Sequence, residues 1–278
     1  MAKRAKQPKR PASKKPSRAG GRTRTKTVQK AASRKAAVTR GGTGRKAARP
    51  RGSAAGRSVR SVATLRARAG NILAELKRTY GPVSCALHHA SALELLVATI
   101  LSAQSTDENV NRITPELFAK YRTPEDYAAV SAEELEKDVY STGFYRQKTK
   151  SIQGACRLMV ERFEGHVPDT MEDLLALPGV ARKTANVLLG TWFGKNEGVV
   201  VDTHVGRLSR RMGLTWRSKN DKDAVKIEAD LMELVPQEEW AYFSHAMIHH
   251  GRTVCTARKP DCGACTLASL CPSAGTLE

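Results

Sequence analysis

Three places in the sequence carry residues whose types and spacing suit chemistry. The stretch LPGVARKTANVLL (Leu177 to Leu189) sets Arg182 and Lys183 side by side just after a proline and a glycine. A helix that restarts near Ala181, after Pro178 and Gly179 have broken the one before it, aims a row of unpaired backbone N–H groups outward, which makes an anion site. On the residues alone, Lys183 is either a phosphate contact or a nucleophile. The second place is GVVVD, where Asp202 ends an apolar extended run and stands where it would cap a helix beginning near Thr203. The third is the quartet Cys255, Cys262, Cys265 and Cys271, spaced C-x6-C-x2-C-x5-C within 17 residues. Four thiols this close imply a metal centre, and spacing alone leaves zinc and an iron–sulfur cluster both open. Cys85 and Cys156 stand apart from them.

Helices must position these groups. SALE at Ser91 to Glu94, TPED at Thr123 to Asp126, SAEE at Ser131 to Glu134 and TMED at Thr170 to Asp173 each put a hydroxyl three residues ahead of a carboxylate. That is the reciprocal pairing of a helix start. Leu93, Leu96, Val97, Ile100 and Leu101 recur at helical spacing. A short helix is expected from Thr170 to about Ala176 and a second from Ala181 to about Phe193, which makes 170–193 a helical hairpin. Only GVVVD reads as extended, so the body from Ser61 onward is expected to be all-α.

The charge is unevenly spread. The chain of 278 residues carries a net +20, yet residues 1–60 hold 21 Lys and Arg and no Asp or Glu. The other 218 residues hold 47 − 21 = 26 basic against 27 acidic groups. With no aromatic residue to bury, residues 1–60 are expected to be a disordered tail. Such an arm binds nucleic acid by counterion release; a transit peptide or a solubilising extension are the alternatives, the former interrupted by Pro8, Pro11 and Pro16. The sequence has no apolar signal core and no run of 18 apolar residues, so a soluble protein in a reducing compartment is expected and the six cysteines are not read as disulfides.

The motifs also carry a resemblance. LPGV followed by RKTAN resembles the helix-hairpin-helix of the endonuclease III family of base-excision DNA glycosylases. LLVATILSAQSTD (Leu95 to Asp107) is similar to that family's early helix with its DNA-facing Gln, TGFYRQKTKSI (Thr142 to Ile152) to its intercalation loop, and VDTHVGRL (Val201 to Leu208) to its catalytic aspartate segment. The likeness runs from about Ser61 to Pro272. It implies a two-lobed all-α fold, with a six-helix lobe over about 85–196 and a cluster lobe built from 61–84 and 197–278.

The resemblance also implies roles. Lys183 matches the catalytic lysine, Asp202 the catalytic aspartate, and the four cysteines the ligands of a [4Fe-4S] cluster. The positive end of a helix dipole disfavours a second positive charge at Lys183, and a neutral amine is a nucleophile where an ammonium is not. Gln104 would fill the gap left by an extruded base, Phe144 would wedge into the stack, and Gly179, Val180, Ala181, Arg182, Arg258 and Lys259 would contact the DNA backbone. His204 is a candidate neighbour of Asp202.

The implied activity is removal of oxidised pyrimidines from damaged double-stranded DNA, followed by lyase cleavage through a Schiff base and β-elimination. A non-catalytic DNA-binding protein is the competing class. The related adenine-mismatch glycosylases differ at the lysine position and carry a further C-terminal domain, whereas this sequence has Lys183 and runs seven residues past Cys271. A monomer with no membrane contact is expected, in a bacterial cytoplasm near the nucleoid, or in a nucleus or organelle if the source is eukaryotic. One departure stands out: the family hairpin often has Gly where this chain has Ala181, and the added methyl would reshape the approach to phosphate.

Overall fold

A computed structural model of the protein describes residues 61–276, so the expectations for the basic tail at 1–60 lie outside the described residues. Among the described residues no strand forms, and eleven α-helices carry the chain. They are α1 (Val62–Tyr80), α2 (Ala92–Leu101), α3 (Asp107–Lys120), α4 (Pro124–Ala129), α5 (Ala132–Val139), α6 (Tyr145–Arg162), α7 (Met171–Ala176), α8 (Arg182–Thr191), α9 (Thr203–Arg211), α10 (Ala224–Leu234) and α11 (Trp240–Thr253). Seven of these fall within 85–196. That is one more than a six-helix lobe when the short α4 is counted.

The hydroxyl caps are where their spacing puts them. Ser91, Thr123, Ser131 and Thr170 accept from the backbone N–H of Glu94, Asp126, Glu134 and Asp173 at 3.1, 3.3, 3.2 and 3.2 Å. Each such cap is worth about 0.5–2 kcal/mol to its helix. The full reciprocal box forms only at α4, where Asp126 Oδ2 accepts from Thr123 N at 3.0 Å. At α2 the Glu94 carboxylate reaches past the cap to Ala90 N instead.

Two hydrophobic clusters build the interior. One gathers side chains of α2 through α8, among them Leu95, Leu101, Leu135, Ile152, Met159 and Leu188. The other gathers α1 and α9 through α11, among them Ile72, Leu76, Leu208, Ile227, Phe243 and Met247. Full burial of side chains of this size stabilises by roughly 1.5–3 kcal/mol each. GVVVD lies between the clusters and forms no strand: Val200 enters the first, Val199 and Val201 the second. Alternation of successive side chains lets a chain with a core on either side bury all three. Val200 N donates to Ser244 Oγ of α11 at 2.9 Å, which supplies the partner a ladder would have supplied. Polar contacts tie the same seam: Arg252 of α11 to Asp107 of α3 at 2.7 Å, and Thr191 of α8 to His245 of α11 at 3.1 Å. No helix among the described residues is long and apolar enough to cross a membrane.

Candidate active site and cysteine cluster

The hairpin between α7 and α8 turns at Gly179, whose φ of 81° belongs to glycine. A side chain there is excluded twice, because a Cβ would also lie 2.5 Å from Ser151 Cβ of α6. Ala181, by contrast, has φ −97° and ψ 167°, an ordinary extended conformation, so its methyl costs no backbone strain. Ala181 is the N-cap of α8 and supplies no side-chain acceptor, unlike the starts of α2, α4, α5 and α7. The first N–H groups of α8 therefore face outward with the positive end of the dipole. Lys183 is exposed in that first turn. Val180 is buried, and its N–H donates to Leu177 O at 3.1 Å, closing the turn.

Arg182 has a partner within the protein. Its Nε donates to both oxygens of Glu228 in α10, at 3.0 and 3.1 Å, and Asn186 Nδ2 donates to Glu228 Oε1 at 2.8 Å. Glu228 is 7% exposed, and its charge is balanced by this arginine. Gly198 packs directly on Glu228 and Asn186, leaving no room for a Cβ. The start of α8 and the segment leading to Asp202 are thus held against one carboxylate.

Asp202 is half-buried and caps α9. Its Oδ1 accepts from the N–H groups of His204 and Val205, both at 2.8 Å, while Oδ2 takes part in no hydrogen bond among the described residues. The carboxylate is held by one oxygen and offers the other. His204 lies against α11 through Gly251, and its Nδ1 is 3.2 Å from Arg207 Nη2, so it packs as a structural neighbour of Asp202.

Gln104 and Phe144 are both exposed, Phe144 at 65%, and both adopt left-handed backbone with φ of 54° and 48°. Gln104 follows α2 by three residues; Phe144 immediately precedes α6.

The four cysteines follow α11, and Cys255, Cys265 and Cys271 pack against the second hydrophobic cluster. Burial pushes the Cys265 and Cys271 thiols up, and the charges of Cys255 and Cys262 raise both further. Bound metal offsets that cost, since the thiolate is the ligand. Arg211 Nη1 donates to Cys255 Sγ at 3.2 Å, a guanidinium placed to favour sulfur in its anionic form. His250, held neutral by a burial that pushes it down to about 4, bridges Tyr80 OH at 2.6 Å and Cys265 Sγ at 3.4 Å. Four thiols, Cys255 reached by Arg211 and Cys265 by His250, form a donor set whose chemistry fits a thiolate-bound group. Arg258 and Lys259 are exposed on the loop after Cys255, whose backbone is fixed by Arg211 donating to Thr256 O and Ala257 O at 2.7 and 2.8 Å. Sequence spacing points to the cysteines but not to Glu228 and Arg211, which come from elements distant in the chain, nor to His250 at the end of α11, whose sulfur partner Cys265 is 15 residues on.

Residues 97–237 match the model of the HhH-GPD superfamily base excision DNA repair protein, and residues 255–271 that of the iron-sulfur binding domain of endonuclease III. Fold and site define a DNA glycosylase of base excision repair. Endonuclease III of Synechocystis sp. is 54% identical over 213 residues, 77% of this chain and 95% of the relative; that of Bacillus subtilis is 47% identical over 189 residues, 67% and 84%. A solved structure of a trapped endonuclease III–DNA covalent intermediate, an estranged-adenine complex, superposes with a TM-score of 0.71 at 41% identity, over 76% of this chain and 97% of that one. The chain belongs to the endonuclease III family. Its cofactor is the family's [4Fe-4S] cluster.

Proposed function

We propose that the protein removes oxidised pyrimidines from damaged duplex DNA and then cleaves the strand, with Lys183 as nucleophile and Asp202 as the carboxylate that balances positive charge on the sugar. The observation that carries this reading is the pair of helix starts bound to one seam: Lys183 exposed in the uncapped first turn of α8, and Asp202 capping α9 with one oxygen uncommitted. Lys183 Nζ, as the free amine, attacks C1′ of the deoxyribose and the bond from C1′ to the base breaks, the base leaving with the electron pair. Loss of a proton from nitrogen and opening of the C1′–O4′ bond give an iminium, with O4′ protonated. The iminium draws electrons when a C2′ proton is removed, and the 3′ phosphate leaves by β-elimination. Water hydrolyses the remaining imine and frees Lys183. Asp202 lowers the barrier where positive charge develops on the sugar.

The rest of the molecule serves binding in this reading. Gln104 and Phe144 occupy the space of the extruded nucleotide. The backbone of Gly179, Val180 and Ala181 with the open N–H groups at the start of α8, the side chain of Arg182 beside Glu228, and Arg258 and Lys259 on the cluster loop meet phosphates. Cys255, Cys262, Cys265 and Cys271 hold the cluster, which shapes that loop. In this reading the chain forms a helical lobe at 85–196 and a cluster lobe from 61–84 and 197–278, which the separate grouping of α2 through α8 and of α1 with α9 through α11 supports, and it works as a monomer at the nucleoid of a bacterial cytoplasm. The tail at 1–60 adds sequence-independent phosphate affinity.

A strand-nicking assay over a panel of defined lesions in duplex DNA tests the activity. Cleavage at oxidised pyrimidines with β-elimination ends is expected. Base release that leaves the strand intact would remove the lyase half, and no activity on any oxidised pyrimidine would remove the substrate class.

A further inference from the structure

Gln104 and Phe144, the two DNA-invading residues of this reading, sit on turns far apart in sequence. One turn runs from the end of α2 through Gln104 to the start of α3; the other is the single turn Tyr140–Thr142 leading through Phe144 into α6. Gln104 and Phe144 are two of only three non-glycine residues at positive φ among the described residues. Such a conformation is strained and persists where surrounding structure enforces it. Something must therefore hold both turns.

Two side chains do so. Lys148 of α6 is 4% exposed, and its Nζ donates at 2.8 Å to Leu101 O, in the first turn, and at 2.8 Å to Thr142 O, in the second. Asn109 of α3 makes the same link from the surface side: its Nδ2 donates to Ser105 Oγ at 3.0 Å and to Ser141 O at 2.9 Å. The four acceptors bracket Gln104 and lead into Phe144. Burial pushes Lys148 down to about 8, and a neutral amine still has two N–H donors for two carbonyls, so the link needs no charge. The same face of α6 also seats the hairpin, through Ser151 against Gly179 and Gly154 against Pro178.

We propose that Lys148 and Asn109 are positioning residues that latch the Gln104 and Phe144 turns into one unit, so that the two side chains enter the base stack as a fixed pair. This rests on the reading of those two residues as gap filler and wedge. Neither Lys148 nor Asn109 needs to touch DNA. The latch matters for extruding a stacked, damaged base and much less for cleaving a preformed abasic site, where there is no base to unstack.

The test is a pair of single-turnover assays on the cluster-containing enzyme, one on duplex DNA with an oxidised pyrimidine and one on the same duplex with a preformed abasic site. Lys148→Met and Asn109→Leu should each slow base excision by about tenfold or more, the scale of a misplaced group. Abasic-site cleavage should stay within about threefold of the parent. Lys148→Arg, which keeps donors for both carbonyls, should recover most of the excision rate. Asn109→Leu lies nearer the surface and carries the test if Lys148→Met does not fold. Equal loss of both activities, or no loss of excision, would overturn the latch. Phe144→Ala separates the latch from the reading beneath it. If Phe144→Ala slows excision and Lys148→Met then adds less than about threefold, the two act through one unit. Multiplying losses would overturn the latch alone, whereas a silent Phe144→Ala would overturn the wedge reading and the latch with it.

Discussion

The starts of α8 and α9 are built from the same backbone and used in opposite ways. At α9 a side chain closes the helix: Asp202 takes two N–H groups on one oxygen and is itself fixed by them. At α8 no side chain does so, and the position is set instead by the glycine turn of the hairpin and by Arg182 on Glu228. A helix N-terminus is a partial positive charge with unpaired donors. Filled from within, it becomes a mount for a carboxylate. Left open, it can seat a phosphate. The contrast can be broken at either end.

The largest effect is expected from Lys183→Gln. Base excision and strand cleavage should both vanish while binding to lesion DNA stays within about tenfold, since the N–H groups of the hairpin remain. Rates and affinities measured side by side check this; normal turnover would end the assignment. Asp202→Asn should slow excision by about 10² or more while sparing the fold, because an amide oxygen still accepts from His204 and Val205. Asp202→Ala should lose the rate and also about 1 kcal/mol of stability, since it removes the cap. Equal melting temperatures for Asn and Ala variants would mean the cap does not matter.

Ala181→Asp makes α8 resemble α9. A carboxylate at that N-cap should stabilise the helix by about 0.5–2 kcal/mol and occupy the donors meant for phosphate. DNA affinity should fall by about tenfold, because a charge-assisted hydrogen bond to phosphate is removed and a like-charge repulsion takes its place. Unchanged affinity would show that the α8 N-terminus does not meet phosphate. Gly179→Ala should cost about 1–3 kcal/mol of stability for a methyl at φ 81° facing Ser151, and lower DNA affinity less than Ala181→Asp does, since the turn that sets the α8 start must shift. A thermal melt reads the stability loss directly.

Much of this is legible in the sequence. Hydroxyl and carboxylate spacing locates four helix starts, because capping is a contact between neighbours in the chain. The proline and glycine of the hairpin and the run of valines before Asp202 are readable for the same reason. What stays hidden lies between distant segments. Arg182 and Glu228 are 46 residues apart in the chain. The left-handed backbone of Gln104 and Phe144 leaves no mark in residue type, since neither is glycine or asparagine. Lys148 does carry a signal: it shares a helical spacing with Ile152, Ala155 and Met159, all buried, and a lysine on such a face needs acceptors.

The central claim is that Lys183 forms the covalent bond. The direct measurement is borohydride trapping on duplex DNA carrying an oxidised pyrimidine, followed by proteolysis and mass spectrometry of the adduct. Reduction of the imine should fix one DNA fragment to the peptide containing Lys183, and Lys183→Gln should give no adduct. An adduct mapped to another amine, or trapping that survives Lys183→Gln, would contradict the claim.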